Sequence, residues 1–260
     1  MASVENKIAV SACIVTYNNE DRIVPTVQSI LAHTKGVQLE LFIYDNASTD
    51  RTVAVVQENF HQVWLVRGKK NRGFGAGHNR VIPRLTSQYH VIINPDILLQ
   101  SDAITAMVEY MEAHPDVCLA VPKFLNEDGT EQFCPKKQPT LRYMLGGHFE
   151  KYGGVFKRWR DAYTLRDQII DKPIDVGFCG GCFMVIRTEV FRQLGGFDPR
   201  YFLYNEDADL TRSAAQLGRT VYVPDVSVVH LWERAYMKDK KHLWIQIQSM
   251  LKYFWKWRGK

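Results

Sequence analysis

Two acids far apart in the chain are suited to different chemistry. Asp96 closes the triplet Asn94-Pro95-Asp96, and Asp207 sits inside Tyr204-Asn205-Glu206-Asp207-Ala208-Asp209-Leu210. A carboxylate of the first kind can hold a hard divalent cation, and one of the second kind can take a proton. Asp207 lies where the aromatic run Tyr201-Phe202-Leu203-Tyr204 gives way to Leu210, Ala214 and Leu217. That spacing predicts a helix with one buried face, beginning at the acids. The macrodipole and free N–H groups of a first turn favour an ionised carboxylate, as a general base requires, although ordinary helix capping uses the same residue types in the same place.

The elements that must position these acids are legible as alternating strands and helices. Ile8 to Thr16 is a continuous apolar run, followed by the polar turn Tyr17-Asn18-Asn19-Glu20-Asp21 and a helix carrying Ile23, Val27, Ile30 and Leu31. The plan repeats with a strand from Leu39 to Tyr44, the turn Asp45-Asn46-Ala47-Ser48-Thr49-Asp50 and a helix from Thr52 to Phe60. Val63 to Arg67 reads as a third strand and Tyr89 to Asn94 as a fourth, with a glycine-rich turn and a short helix between them. This alternation predicts an α/β fold with a largely parallel sheet and ligands at the carboxyl ends of its strands.

The glycine-rich turn Asn71-Arg72-Gly73-Phe74-Gly75-Ala76-Gly77-His78-Asn79 does not match the dinucleotide fingerprint, because its glycines fall at alternate positions. Close approach of backbone to a diphosphate or a sugar is one use for such glycines, and a plain tight turn is another. Beyond Leu119 the pattern fades, and the basic, aromatic stretch from Lys136 to Asp171 reads as a mobile acceptor loop. Strand character returns over Val176 to Arg187, and Glu189 to Leu194 reads as a short helix closed by Gly195-Gly196.

A chain of 260 residues, 46% hydrophobic and 23% charged, can bury one large core, which excludes a disordered chain. No uncharged apolar run reaches the roughly 18 residues needed for a spanning helix. The first seven residues lack a secretory pattern, so a cytoplasmic location is expected. The cysteines agree: five scattered thiols, Cys13, Cys118, Cys134, Cys179 and Cys182, suit a reducing compartment. Cys179-Gly180-Gly181-Cys182 has the C-x-x-C form, but it lacks the further ligands of a zinc site and the helical setting of a redox pair.

The order of motifs resembles that of inverting family 2 glycosyltransferases of the GT-A fold, in particular the bacterial rhamnosyltransferase-like branch. The likeness covers roughly residues 8 to 232. It rests on Val15-Thr16-Tyr17-Asn18, Tyr44 to Asp50, Asn71-Arg72-Gly73-Phe74-Gly75, Asn94-Pro95-Asp96, Gly195-Gly196-Phe197-Asp198 and Tyr204 to Asp209, in that order. The fold it implies is a Rossmann-like mixed, mainly parallel sheet flanked by helices, as a domain over 1–232 with a C-terminal helical extension over 233–260.

The resemblance also implies roles. Thr16, Tyr17 and Asn18 would line a nucleotide pocket. Asp45 would accept the N3–H of a pyrimidine base, or else bond its own turn. Asn71, Arg72 and Gly73 would approach the diphosphate or sugar. Asp96 would hold Mn2+ or Mg2+ on the diphosphate, with Asn94 touching ribose or the metal's waters. His230 would complete the metal site, where an imidazole suits Mn2+ better than Mg2+, or serve as a buried structural histidine.

Asp207 would deprotonate the acceptor hydroxyl in a single inverting displacement. Glu206 diverges from it by about 100° at 3.6 residues per turn, so the two do not form a hydrolase pair. Glu206 reads as an acceptor-positioning group and Asp209 as a stabiliser of the helix start. The donor implied is dTDP-β-L-rhamnose and the acceptor a polyprenyl-diphosphate-linked saccharide of the cell surface. A UDP-hexose enzyme and a non-catalytic nucleotide-sugar-binding protein are the alternatives.

Arg234 to Lys260 holds Arg234, Lys238, Lys240, Lys241, Lys252, Lys256, Arg258 and Lys260 against the single acid Asp239, interleaved with Trp244, Tyr253, Phe254, Trp255 and Trp257. Leu243, Ile247, Leu251 and Phe254 recur at helical spacing. Such a helix could lie on an anionic membrane surface, pack on the sheet or form a homodimer contact. The net charge of +5 is concentrated here, and no nucleic-acid-binding signature accompanies it.

Overall fold

A computed structural model describes residues 7–133, 135–231 and 240–259. The expected boundary near 232, the residues up to Asn6 and Cys134 lie outside that set. The elements run β1 (Ala9–Thr16), α1 (Glu20–His33), β2 (Gln38–Asp45), α2 (Thr52–Asn59), β3 (Trp64–Arg67), α3 (Phe74–His78) and β4 (Tyr89–Ile93). The chain continues through β5 (Ile97–Leu98), α4 (Ala103–Ala113), β6 (Val117–Leu125), α5 (Leu141–Phe149), α6 (Gly154–Thr164), β7 (Ile174–Asp175), β8 (Phe183–Arg187), α7 (Thr188–Gln193), α8 (Glu206–Ala214), β9 (Arg219–His230) and α9 (Lys240–Lys256).

These strands form a single sheet in the order β3-β2-β1-β4-β8-β6-β9-β5, with β7 paired beside β9. β1 to β4 are mutually parallel, β8 is inserted antiparallel between β4 and β6, and β9 runs parallel to β6. The mixed, mainly parallel sheet flanked by helices is thus the architecture expected. The central strands read as unbroken apolar runs because both faces are covered. One core packs Ile23, Val27 and Ile30 of α1 and Met107 and Val108 of α4 on the sheet, and a second packs Phe191 of α7 and Leu210 and Ala214 of α8 on the other face. Parallel register sets Thr16 beside Asp45 at the carboxyl ends of β1 and β2, the edge from which the polar turns project.

Two expectations are corrected. The stretch from Lys136 to Asp171, read as a mobile loop, contains the helical hairpin α5–α6. Arg142, Lys157, Arg160 and the paired glycines at 146–147 and 153–154 had blurred its period. Of Val176 to Arg187 only the segment from Phe183 is strand. The preceding residues bend around α8 instead, for a reason that belongs to the site.

Candidate active site

The bend at Gly180-Gly181 brings two distant motifs together. The amide of Gly181 donates to Oδ2 of Asp207 at 3.1 Å. One residue on, the carbonyl of Cys182 accepts the amide of Asn94 at 2.8 Å. A Cβ on residue 181 would lie 3.1 Å from Cβ of Asp207, so glycine is what permits the approach. Asp207 stands in the first turn of α8, its Oδ1 accepting the amide of Ala208 at 2.9 Å.

The electrostatics of the pair differ from the sequence expectation. Burial raises the Asp207 carboxyl above its usual range, against the pull of the Lys136 ammonium and of the Gly181 and Ala208 amides. Loss of water therefore outweighs the helix terminus that had suggested an easily ionised acid. Glu206 is 4% exposed, and Oε2 has no hydrogen-bond partner. Burial and the Asp207 charge push its carboxyl up far more strongly. Burial thus raises both carboxyls, and at Asp207 the Lys136 ammonium opposes the rise. Glu206, expected as an acceptor-positioning group, offers almost no surface. Lys136, whose Nζ lies 4.6 Å from the Phe178 ring centre, carried no signal in the sequence beyond a basic stretch.

Asp96 and His230 meet where β5 pairs with the end of β9. His230 Nε2 is 3.5 Å from Asp96 Oδ2, and its Nδ1 is 2.9 Å from Gln132 Oε1, which orients the ring. Burial alone would depress this imidazole, but the Cys182 sulfur and the Asp96 carboxylate carry it to about 10. Oδ1 of Asp96 is buried without a partner. An orphaned carboxylate oxygen beside an oriented imidazole is a donor set that fits Mn2+ or Mg2+, the ring giving up its proton on ligation. Among the described residues no group of three or more His, Cys, Asp or Glu side chains gathers at metal-binding spacing. Diphosphate and water would supply the other ligands. Cys179 and Cys182 are free thiols.

The nucleotide-side residues form one connected edge. Thr16 is 1% exposed and bonds Asn19 Oδ1 at 3.0 Å, whereas Tyr17 is 45% exposed. Asn18 adopts φ 55° and holds the turn after β2, its amide on Ser48 Oγ and its Oδ1 on the Thr49 amide. Asp45 is 2% exposed and receives the Ser48 amide at 3.2 Å, so it bonds its own turn.

Asn46, which the sequence reading left without a role, organises the glycine-rich loop. Its Nδ2 donates to Asn71 Oδ1 and to the Gly73 carbonyl, and its Oδ1 accepts the Arg72 amide at 2.9 Å. Arg72 itself is exposed. The glycines make room for close packing within the protein itself. Gly73 has φ 89°, and a Cβ on it would meet the Phe202 carbonyl oxygen at 2.0 Å; Gly75 and Gly77 abut Phe197 and Val15 in the same way. The amide of Phe74 donates to that Phe202 carbonyl at 3.0 Å, tying the loop to the segment that leads into Asp207.

Asp209, expected only to stabilise a helix start, instead anchors the C-terminal helix. It is 2% exposed, with Oδ2 2.7 Å from Lys256 Nζ and Oδ1 2.8 Å from Trp257 Nε1.

The chain is 28% identical over 206 residues to the N-acetylglucosaminyl-diphospho-decaprenol L-rhamnosyltransferase of Mycobacterium tuberculosis (strain ATCC 25618 / H37Rv), covering 74% of this chain and 66% of the relative. It thus spans just under two thirds of that protein's length. It is 24% identical over 231 residues to the rhamnosyltransferase WbbL of Escherichia coli (strain K12), covering 84% of this chain and 81% of that one.

Among solved structures it resembles GalNAc-T7 with UDP, GalNAc and Mn2+, at TM-score 0.71 and 15% identity over 98% of this chain and 49% of the other. It also resembles the mannosyltransferase PcManGT from Pyrobaculum calidifontis in complex with GDP-Man and Mn2+, at TM-score 0.63 and 20% identity over 96% of this chain and 65% of the other. These likenesses establish the GT-A fold. The family model for glycosyl transferase family 2 matches residues 11–195, well over half of the sequence, and the chain therefore belongs to glycosyl transferase family 2.

Proposed function

We propose that this chain is a metal-dependent inverting glycosyltransferase that moves L-rhamnose from dTDP-β-L-rhamnose to a lipid-linked saccharide in cell-surface polysaccharide synthesis. The observation that carries the reading is the splice at Gly181-Cys182, which holds Asp207 from one residue and Asn94, two residues before Asp96, from the next. The rhamnose assignment is supported by the two curated relatives, both named as rhamnosyltransferases.

In this reading the acceptor hydroxyl oxygen bonds to the anomeric carbon while its proton passes to Asp207, and the electrons of the breaking C–O bond leave with the nucleoside diphosphate. Asp96 and His230 would hold Mn2+ or Mg2+, whose charge offsets that of the departing diphosphate. Thr16, Tyr17, Asn18 and Asp45 bound the nucleotide, with Asn71, Arg72, Gly73 and Asn94 beside its diphosphate. Lys136 keeps the base ionisable inside the cleft.

The acceptor is a polyprenyl-diphosphate-linked saccharide at the inner face of the cell membrane, and α9 is the contact to that surface. No helix among the described residues is long and apolar enough to cross a membrane. Trp244, Leu251 and Trp255 are each 61% exposed on α9, a row of apolar side chains flanked by Lys252 and Arg258. A homodimer would compete for the same row.

Purified protein offered a panel of nucleotide sugars with a lipid-linked GlcNAc acceptor tests the reading. Transfer from dTDP-rhamnose, dependent on added Mn2+ or Mg2+, is expected. Transfer from a UDP-hexose alone moves the assignment to that donor, and binding without transfer in every case makes the chain a nucleotide-sugar-binding protein.

A further inference from the structure

The helix that carries Asp207 begins badly by local standards. Tyr204 and Asn205 adopt φ 70° and 65°, two consecutive left-handed residues that are not glycine. The cap residue Asn205 makes no side-chain bond to the first turn. Left-handed backbone and missing caps both loosen a helix start, so the orientation of the first turn has to be imposed from elsewhere.

Besides the bond from Gly181, the segment is restrained from α9. α9 grips the segment on both sides of Asp207. Ser249 Oγ donates to the Leu203 carbonyl at 2.8 Å. Lys256 Nζ lies 2.7 Å from Asp209 and 2.8 Å from Asp198. Trp257 donates its indole N–H to Asp209, whose Oδ1 also receives the Tyr201 hydroxyl at 3.3 Å. Tyr253 and Trp257 are buried against Tyr201 and Ala208, the residue after Asp207. A carboxylate buried this deeply holds its place only while its donors and counter-charge are present, so Asp209 transmits the position of α9 to the first turn of α8.

We infer that α9 is part of the reaction machinery: Lys256 and Trp257 are positioning residues that act through Asp209 to aim Asp207. This rests on the role given to Asp207 under the proposed function. It also makes the C-terminal helix more than a membrane contact, since its inner face sets the base while its outer face stays free.

The test uses the full chain with Trp257→Phe, which keeps an aromatic ring and removes the N–H, and Lys256→Met, with Lys256→Arg as the conservative replacement. Hydrogen exchange of the peptide spanning 203–212 is read first, because it needs no turnover. Faster exchange there in Trp257→Phe and Lys256→Met, with protection restored in Lys256→Arg, is expected. Parent-like exchange overturns the inference whatever the enzyme's donor.

Steady-state transfer is read second. A fall in kcat of about tenfold or more is expected, with unchanged donor affinity by calorimetry, because small misplacements of a reacting group are costly. Faster exchange with an undiminished kcat also overturns the inference, leaving α9 as a structural staple. A parent that transfers no sugar counts against the proposed function. In that case the exchange result decides whether the latch on α8 exists.

Discussion

Asp207 is anchored by Gly181, amide to carboxylate at 3.1 Å, and the next residue in the chain carries the Asn94 amide on its carbonyl. Successive Cα atoms are about 3.8 Å apart, so Asp207 and the Asn94-Pro95-Asp96 turn are held by backbone groups that flank a single peptide unit. This is a short link between two motifs that the sequence spaced so far apart. It lets substitutions on either side be read separately.

Asp207→Asn keeps the shape and the bond from Gly181 but cannot take a proton. Transfer should fall by about 10²–10⁴-fold, the usual range for loss of a general base, with donor affinity unchanged. Turnover within about tenfold of the parent would remove Asp207 from that role.

The pH dependence follows from the charges around Asp207. Burial raises its carboxyl and Lys136 lowers it, so the rate should rise with pH as Asp207 ionises. Lys136→Met is expected to move that limb to higher pH, and Lys136→Arg to leave it in place. A limb that stays put in Lys136→Met, with only the acceptor KM altered, would make Lys136 a substrate contact instead.

Glu206 gives an independent check through stability. Its folded-state carboxyl is raised above the unfolded value, so the stability linked to its proton is fully present below the unfolded pKa and is lost as pH rises through the folded one. Glu206→Gln should therefore melt higher than the parent in alkaline buffer, with the gap closing as pH falls. A gap independent of pH would contradict the protonated, buried state.

Asp96→Ala removes the buried carboxylate oxygen that lacks a partner and the one that faces His230. Calorimetry of the donor with and without Mn2+ should show the metal's enhancement of binding lost in the variant and present in the parent. Identical isotherms for the two proteins would leave the diphosphate to be held by other groups.

How much of this was legible depended on where each residue's partners lie. β1 to β4 announced themselves because both faces are buried and each run ends in a polar turn. β6 did not, since Pro122 and Lys123 interrupt its apolar run, and its ladder to β9 skips register at that point. The antiparallel insertion of β8 has no local code. Asp96, Asp207 and His230 could be singled out because the motifs around them resemble those of a known family. Asn46, Gly181 and Lys136 could not, because their contributions are bonds or charges acting on residues remote in sequence. Gly73 was noticed for its type, but its packing on the carbonyl of Phe202, remote in sequence, left no local trace.

The last expectation concerns the outer face of α9, and the inner face dictates how it must be tested. Deleting the tail from Lys238 would remove any lipid contact but also Lys256 and Trp257, whose bonds to Asp209 brace the base helix. Loss of activity would then say nothing about membranes. Trp244, Leu251 and Trp255 point outward, each 61% exposed, and none is among the residues that bond α8. Replacing all three by Gln leaves the inner face intact and removes the large apolar side chains that bind a headgroup boundary. The variant should lose co-sedimentation with phosphatidylglycerol vesicles while keeping parent-like transfer to a water-soluble acceptor. Binding by the parent should weaken as salt screens the basic side chains. If the variant still sediments with vesicles, the row is not the anchor. A parent that dimerises in solution while the variant is monomeric would assign the same face to a second copy of the chain.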